Sequence, residues 1–203
     1  TDQKAASATE KNMFEDEIVS INGVTKDGCI RPETSLESMS GLKPAFDKDG
    51  VVTAATSSPL TDGAAAVIVC SEDYAKKNNL EILAFIRGMA ISGCSPEVMG
   101  IGPVLSSEKA LERAGIKLED IDVIEMNEAF AAQSLACVKE LGVDMSKLNI
   151  HGGAISMGHP LGASGARITG KAASLLKETG KRYALSTMCV GGGQGCATVL
   201  ERA

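Results

Sequence analysis

NIHGGAISMGHPLGASGARI, residues 149–168, is the stretch from which the fold can be worked out. It contains the two histidines of the chain, His151 and His159. A strand is predicted to enter it at Leu148–His151, and a helix is predicted to leave it at Ser164–Glu178. A histidine held on a loop between a strand and a helix has the geometry of a general base. A tight strand-to-helix connection that carries one polar side chain accounts for the stretch equally well.

The composition indicates a globular protein and excludes several function classes. Hydrophobic residues make up 44% and charged residues 23% of the 203 residues, which is ordinary for a globular domain. The net charge of −6 argues against a nucleic-acid partner, because such a partner requires positive charge to neutralise its phosphates. No apolar run approaches the roughly 20 residues of a membrane span.

The cysteines show neither a zinc pattern nor a disulfide framework. No two of them form a Cys-x-x-Cys pair, and most lie in apolar runs: Cys29, Cys70, Cys94, Cys137, Cys189 and Cys196. No metal site is expected. Free thiols indicate a reducing compartment, which we interpret as the cytoplasm, with the mitochondrial and peroxisomal matrices left open.

Strand and helix patterns alternate from residue 81 to the end. The predicted order is β-α-β-α-β-α-β-β, with strands at 82–92, 121–125, 148–151, 182–190 and 197–201 and helices at 106–114, 128–141 and 164–178. This order predicts an α/β fold, a mixed five-stranded sheet with helices on its faces. The turn-rich residues 1–61 predict part of a lobe of loops. The apolar run Ala64–Cys70 predicts a strand buried on both faces.

Three polar residues fall where the predicted strands end. Asn127 follows the strand IDVIEM, His159 lies in the glycine-rich loop, and Cys189 ends an apolar strand before three glycines. Ligands of such sheets gather outside the carboxyl ends of the strands, so this coincidence favours a site. Taken singly, Asn127 also fits a helix cap, and Cys189 also fits a structural thiol.

Three segments, in this order and spacing, resemble the carboxyl-terminal half of thiolases. They are NEAF at 127–130, GGAISMGHPLGASGAR at 152–167 and CVGGGQG at 189–195. Upstream, IRPETSLESMSGLKPAF at 30–46 and VVTAATSSPLTDGAAAVIV at 51–69 resemble the thiolase loop lobe and the last strand of the first half. The resemblance covers nearly the whole chain.

This resemblance implies domains, chemistry and partners. Residues 1–61 would be the remainder of the loop lobe, 62–80 the last strand and helix of the amino-terminal domain, and 81–203 the carboxyl-terminal domain. The implied reaction is acyl transfer between coenzyme A thioesters, as thiolytic cleavage of 3-ketoacyl-CoA or Claisen condensation of acetyl-CoA. Acyl-CoA and coenzyme A would be its partners, with no further cofactor, and the complete protein would be a homodimer or homotetramer.

The resemblance also assigns roles to individual residues. His159 would activate a nucleophilic cysteine, Cys189 would act as the acid/base at the α-carbon, and Asn127 would hold a water for an oxyanion hole. The backbone N–H of Gly191 would belong to a second oxyanion hole. Three further residues would contact coenzyme A: Ser58 at its pantetheine, and Phe46 and Phe130 as apolar walls.

The sequence departs from the family pattern in two places. It contains no Cys-Ser/Ala-Ser-Gly motif, in which thiolases carry the acyl-accepting cysteine. We therefore expect this fragment to be inactive alone and a missing amino-terminal half to be its partner. His151 stands where many relatives have Asn, and we expect it to organise the loop.

Two other functions stay open. One is a non-catalytic acyl-CoA-binding or scaffold half of a two-part thiolase, which the absent motif favours and the joint presence of Asn127, His159 and Cys189 disfavours. The other is a Cys–His hydrolase that uses Cys189 as nucleophile, although no sequence feature supports this function.

Overall fold

A computed structural model describes all residues, Thr1–Ala203. The helices are α1 (Asp2–Glu10), α2 (Leu36–Ser40), α3 (Glu72–Lys77), α4 (Gly102–Ala114), α5 (Ala131–Leu141), α6 (Ala154–Met157) and α7 (Ser164–Thr179). Short 3-10 helices occur at Ala54–Thr56, Pro96–Ile101 and Leu118–Asp120. The strands are β1 (Ala84–Gly93), β2 (Val123–Met126), β3 (Tyr183–Val190) and β4 (Gln194–Arg202).

The four strands form one mixed sheet in the order β1-β4-β3-β2. β2 and β3 are parallel, whereas β3–β4 and β1–β4 are antiparallel. Helices α4 and α5 lie on one face and α7 lies on the other. The predicted α/β class with a mixed sheet is therefore confirmed.

Side-chain alternation along β2 supplies both halves of the core. Ile124 and Met126 join the larger apolar cluster, which includes Leu111 of α4 and Cys137 of α5. Val123 points to the opposite face, where α7 contributes the other apolar side chains: Ala172, Leu175 and Leu176. Because successive strand residues point to opposite faces, a four-residue strand can be buried on both sides.

The predicted fifth strand at Leu148–His151 is wrong. Only one parallel bridge forms there, between Leu148 and Ile124. Asn149 adopts φ +43°, which ends the extended conformation, and its side chain takes over the pairing with Met126. The sheet therefore has four strands instead of five.

The predicted buried strand at Ala64–Cys70 is also wrong. The segment pairs with no strand, and Ile68 and Val69 are 81% and 72% exposed. An apolar run of this length becomes a buried strand only when neighbouring strands pair with it and cover its two faces. No other segment of this chain does so.

Two further differences lie beside the glycine-rich stretch. The helix predicted from Glu128 begins at Ala131, because Phe130 is extended and the Glu128 carboxylate binds other backbone and side-chain groups. The short helix α6 was not expected from the sequence, and it carries the chain from Gly153 to Gly158. Both differences reshape the loops above the carboxyl ends of β2 and β3.

One titratable side chain is sealed inside this core. Glu125 of β2 is 1% exposed, and its Oε1 has no hydrogen-bond partner. Burial raises the pKa of Glu125 to about 8; Arg167 and Lys171 oppose that shift and Glu128 and Glu17 add to it. Glu125 is therefore protonated at neutral pH.

We expect Glu125 to make the chain less stable as the pH rises. Its pKa is higher in the folded chain than in the unfolded one, so its contribution is complete below about pH 4.5 and is lost as the pH rises through about 8. In the unmodified chain the unfolding free energy should fall by on the order of 3 kcal/mol between pH 5 and pH 9 because of Glu125. Glu125→Gln should abolish this fall. Urea unfolding at several pH values measures this slope. Exposed Glu140→Gln is the control, and equal slopes in the two variants would contradict the assignment.

Candidate active site

The loop that carries His159 is fixed by residues from distant parts of the chain. After α6, Gly158 takes φ +91°, and a Cβ at this position would overlap the side chain of Thr61. The His159 backbone N–H donates to Thr61 Oγ1 at 3.2 Å. The hydroxyl-rich segment at 53–62 is thus packed against the histidine loop.

The imidazole of His159 is held in one tautomer. Its Nδ1 lies 2.6 Å from Ser164 Oγ, and this fully buried hydroxyl donates to the Pro160 carbonyl at 3.2 Å. Because a hydroxyl has one hydrogen, Ser164 accepts from Nδ1–H, and Nε2 keeps a free lone pair. Burial and the charge of Arg167 lower the pKa of His159 below its ordinary 6.5. His159 is therefore a neutral base at pH 7.

Asn127 is completely buried at the end of β2. Its backbone N–H donates to Thr187 O at 2.9 Å, which continues the pairing of β2 with β3. Neither its side-chain Oδ1 nor its Nδ2 has a protein partner. Buried amides are rarely left unpaired, because the loss of hydration costs about 1–3 kcal/mol. The Asn127 side chain is therefore suited to binding a water or a ligand oxygen.

Cys189 is a protonated thiol near the carboxyl end of β3. It is 4% exposed, and burial together with the nearby Cys137, Cys196 and Cys94 raises its pKa to about 11. A buried thiol with this pKa can donate a proton to a strong base such as a carbanion. It becomes a base only after it has given up that proton.

The topology brings Asn127 and Cys189 to the same edge of the sheet. Met126 pairs with Thr187, so the carboxyl ends of the parallel strands β2 and β3 lie side by side. The first turn of α7, which follows the His159 loop, covers Met188. No hydrogen bond joins the side chains of Asn127, His159 and Cys189. Cys189 lies on the α5 face of β3, the face opposite Met188.

Gly191 opens the turn between β3 and β4. Nothing lies within 4 Å of the position that a Cβ would occupy there, so its backbone faces open space. The turn is anchored farther on, where Cys94 N donates to Gly193 O at 2.7 Å. The backbone around Gly191 can therefore be approached closely by another molecule.

Phe130 lies on the segment that follows β2, and the other two predicted coenzyme A contacts, Ser58 and Phe46, pack against that segment. Ser58 N and Oγ both donate to Ala129 O, at 3.1 and 3.2 Å. The Phe46 and Phe130 rings pack edge to face, with centroids 6.1 Å apart, and Phe46 is 78% exposed. The two phenylalanine rings form an apolar surface, whereas the Ser58 hydroxyl already donates its hydrogen bond to the protein.

Two cavities flank the glycine-rich stretch. One of about 250 Å³ lies beside the His159 loop and is lined by Cys29, Thr61, Met157, Pro160 and Arg167, among others. The larger one, about 450 Å³, lies against α1 and His151 instead. The smaller cavity borders the His159 loop through Met157 and Pro160, but Asn127, His159 and Cys189 line neither of these two cavities.

His151 is held apart from this chemistry by its own contacts. Its ring packs edge to face on Phe14, with centroids 6.0 Å apart, and its Nε2 lies 3.4 Å from Glu178. Burial is the main cause that lowers the pKa of His151. These contacts tie the glycine-rich stretch to α7 and to the segment after α1.

Several residues that build the site were not found from the sequence. Ser164, Thr61, Glu128 and Asn149 act through hydrogen bonds to other site residues. Ser164 lies five residues after His159 at the start of a predicted helix, which was a usable signal. The others pair with residues far away in sequence, for which no local pattern exists.

Comparison with known proteins identifies the family. Residues 1–73 match the family model described as "Thiolase, N-terminal domain", and residues 80–202 match "Thiolase, C-terminal domain". The chain belongs to the thiolase family. It is 50% identical to a 3-ketoacyl-CoA thiolase of Vibrio parahaemolyticus over 98% of the chain and 54% of that protein. It is 52% identical to one of Shewanella loihica, over 99% of the chain and 55% of that protein.

Solved thiolase structures share the fold over the entire chain. A human mitochondrial 3-ketoacyl-CoA thiolase in complex with CoA superimposes with a TM-score of 0.97 and 46% identity, over 52% of its own length. A Bacillus anthracis acetyl-CoA acetyltransferase superimposes with a TM-score of 0.94 and 42% identity, over 53% of its length. The thiolase chain described here spans about half the length of the relatives that it matches.

These matches correct one prediction. The chain was expected to be the carboxyl-terminal half of a thiolase, but residues 1–73 match the N-terminal domain, so both domains are represented. A missing amino-terminal half as a partner is accordingly not supported. The domain boundaries at 61/62 and 80/81 stay predictions. None of the helices combines the length and the apolar character needed to cross a bilayer.

The tautomer of His159 can be measured directly, because the chain has only two histidines. At pH 7.5 we expect the ¹⁵N spectrum of His159 to show a protonated Nδ1 and an unprotonated Nε2. Ser164→Ala should shift this residue toward the Nε2–H form, because Nδ1–H loses its acceptor. The His151 signals serve as an internal control. An Nε2–H tautomer in the unmodified chain would contradict the hydrogen-bond assignment.

Proposed function

We propose that this chain carries the proton-transfer and oxyanion-binding residues of an acyltransferase that acts on coenzyme A thioesters. The reaction is thiolytic cleavage of 3-ketoacyl-CoA or its reversal, the Claisen condensation of acetyl-CoA. The observation that carries the proposal is the buried, unpartnered amide of Asn127 at the carboxyl end of β2. The free lone pair on His159 Nε2 supports it. The 3-ketoacyl-CoA thiolases among its relatives support the same substrate class.

His159 serves two steps through its Nε2. As a neutral base it accepts the proton of an acyl-accepting cysteine thiol, which then attacks the C3 carbonyl. In its protonated form it donates to the thioester oxygen. Together with a water held by Asn127, it stabilises the enolate oxygen. A donor of this kind contributes about 3–4 kcal/mol to a developing oxyanion.

Cys189 supplies the proton that cleavage requires. When the bond between C2 and C3 breaks, its electron pair stays on C2 of the acetyl-CoA enolate, and the Cys189 thiol gives its proton to C2. The resulting thiolate takes the proton of the incoming coenzyme A thiol, whose sulfur attacks the acyl group on the acyl-accepting cysteine. The bond between that cysteine sulfur and the acyl carbon breaks, and the cysteine thiolate takes back the proton that His159 holds. The protonated resting state of Cys189 supports its role as the proton donor to C2.

The remaining contacts bind the substrate. The Gly191 N–H stabilises the tetrahedral intermediates, Ser58 lies at the pantetheine, and Phe46 with Phe130 forms an apolar wall. The CoA-bound human relative supports coenzyme A as the ligand. No further cofactor enters this chemistry. For the complete protein we propose a homodimer or homotetramer in a reducing compartment, the cytoplasm being the first choice.

A non-catalytic acyl-CoA-binding or scaffold role is the second candidate. The observation in its favour is that no cysteine here lies in a Cys-Ser/Ala-Ser-Gly motif. Under either function the 203-residue chain by itself should bind coenzyme A without turning over acetoacetyl-CoA. Calorimetry and a thiolysis assay measure these properties, and measurable turnover by the chain alone would contradict the expectation.

A hybrid thiolase separates the two candidates. The chain is joined to the part of the Shewanella loihica relative that it does not cover, and thiolysis is assayed. The proposal expects activity, which Cys189→Ala should reduce by at least about 1,000-fold while acylation of the nucleophilic cysteine continues. Cys70→Ala, at an exposed thiol, is the matched control. A hybrid that folds and binds coenzyme A but has no activity supports the scaffold role instead.

A further inference from the structure

The side chain of Glu128 joins two loops of the candidate site. Glu128 follows Asn127 and is 8% exposed. Its Oε1 accepts from Asn149 Nδ2 at 2.8 Å, and its Oε2 accepts from the backbone N–H of Ile155 at 3.2 Å. No lysine, arginine or histidine pairs with this carboxylate. Two neutral donors from different segments therefore hold it in place.

Asn149 is the fixed side of this arrangement. Its Oδ1 accepts from Met126 N, and its Nδ2 donates to Met126 O, both at 2.9 Å. The amide is therefore oriented by β2 itself, and its second Nδ2 hydrogen points at Glu128. A flipped amide would set Nδ2 against an N–H donor and Oδ1 against two oxygens, so only one orientation satisfies all three contacts.

Gly153 lies on the other side of this arrangement. A Cβ at Gly153 would overlap all three terminal atoms of the Glu128 side chain, so the backbone reaches the carboxylate only because this residue has no side chain. From here α6 leads through Ile155 to His159 within a few residues. The position of His159 thus depends on the contact between Glu128 and the start of α6.

We infer that Glu128, with Asn149, Gly153 and Ile155, forms a clamp that sets the position of His159 relative to Asn127. We call these four residues the Glu128 clamp. Glu128 is a positioning residue, because its carboxylate is bound entirely by the protein. Its consequence for catalysis rests on the proposed function, whereas its effect on the histidine loop does not.

The clamp requires a carboxylate. Two donors converge on Glu128, and a carboxylate offers one acceptor oxygen to each of them. A glutamine at this position has one acceptor and one donor group, so one N–H of the clamp would face an NH₂ group. Glu128→Gln is therefore nearly isosteric but releases either Asn149 or Ile155.

The first test uses the chain as it is. In Glu128→Gln, we expect the Ile155 amide and the His159 ring signals to shift or broaden in ¹H–¹⁵N spectra, while the His151 ring signals stay in place. Glu140→Gln, at an exposed residue of α5, should change none of them. Unchanged His159 signals in folded Glu128→Gln would overturn the inference.

A second variant guards against failure to fold. Gly153→Ala pushes the loop off the carboxylate while Glu128 and Asn149 stay intact, and it should disturb the same His159 signals. Should Glu128→Gln unfold, the inference is decided by Gly153→Ala. Wild-type His159 signals in that variant would overturn it.

The second test measures the catalytic consequence in the hybrid thiolase. We expect Glu128→Gln to lower kcat by roughly 100-fold, the scale expected when a catalytic group is misplaced by about 1 Å. The KM for coenzyme A should change less than about twofold, because the Glu128 carboxylate bonds to Asn149 and Ile155 and not to Ser58, Phe46 or Phe130. Wild-type kcat, or a loss confined to KM, would overturn the catalytic part. An inactive parent hybrid would instead count against the proposed function, and the spectra of the chain would still decide the clamp.

Discussion

The arrangement of the candidate site depends on how the free edge of β2 is satisfied. β2 pairs with β3 on one side, and on the other side the chain offers only Leu148 and its neighbours. The Asn149 side chain replaces the next residue of a strand by bonding both the N–H and the C=O of Met126. A buried backbone group left without a partner costs free energy, so the position of the Asn149 side chain is strongly constrained. It also frees the backbone after Asn149 to turn into the glycine-rich loop instead of continuing as a strand.

Burial decides the protonation states of the groups above this edge. His159 is kept neutral and Cys189 is kept protonated because each would have to carry its charge away from water. Glu125, deeper on β2, is kept protonated for the same reason even though Arg167 and Lys171 lie near it. The three candidate residues Asn127, His159 and Cys189 are therefore uncharged, which suits a reaction whose negative charge develops on a substrate oxygen.

Much of the fold could be predicted, and the failures share a physical cause. Regular alternation after residue 81 predicted the sheet and its main helices, because periodicity reports which face of an element is buried. The strand predicted at Ala64–Cys70 was wrong because periodicity cannot report whether a neighbouring strand is present. The predicted start of α5 was wrong because Glu128, a favourable residue for the first turn of a helix, accepts hydrogen bonds from Asn149 and Ile155 instead.

The sequence by itself determined the family resemblance and the candidate residues. Asn127 and Cys189 were predicted as candidates because the carboxyl ends of parallel strands meet at one edge of a sheet, whereas the strand predicted before His159 did not form. Only the tertiary structure decided how these groups are held. The tautomer of His159 depends on Ser164, whose hydroxyl bonds both the imidazole and Pro160 O. The Glu128 clamp joins residues that are 21 and 27 positions apart in the sequence. Hydrogen bonds need donor and acceptor within about 3 Å, and that distance is set by the packing of whole segments, which local pattern does not contain.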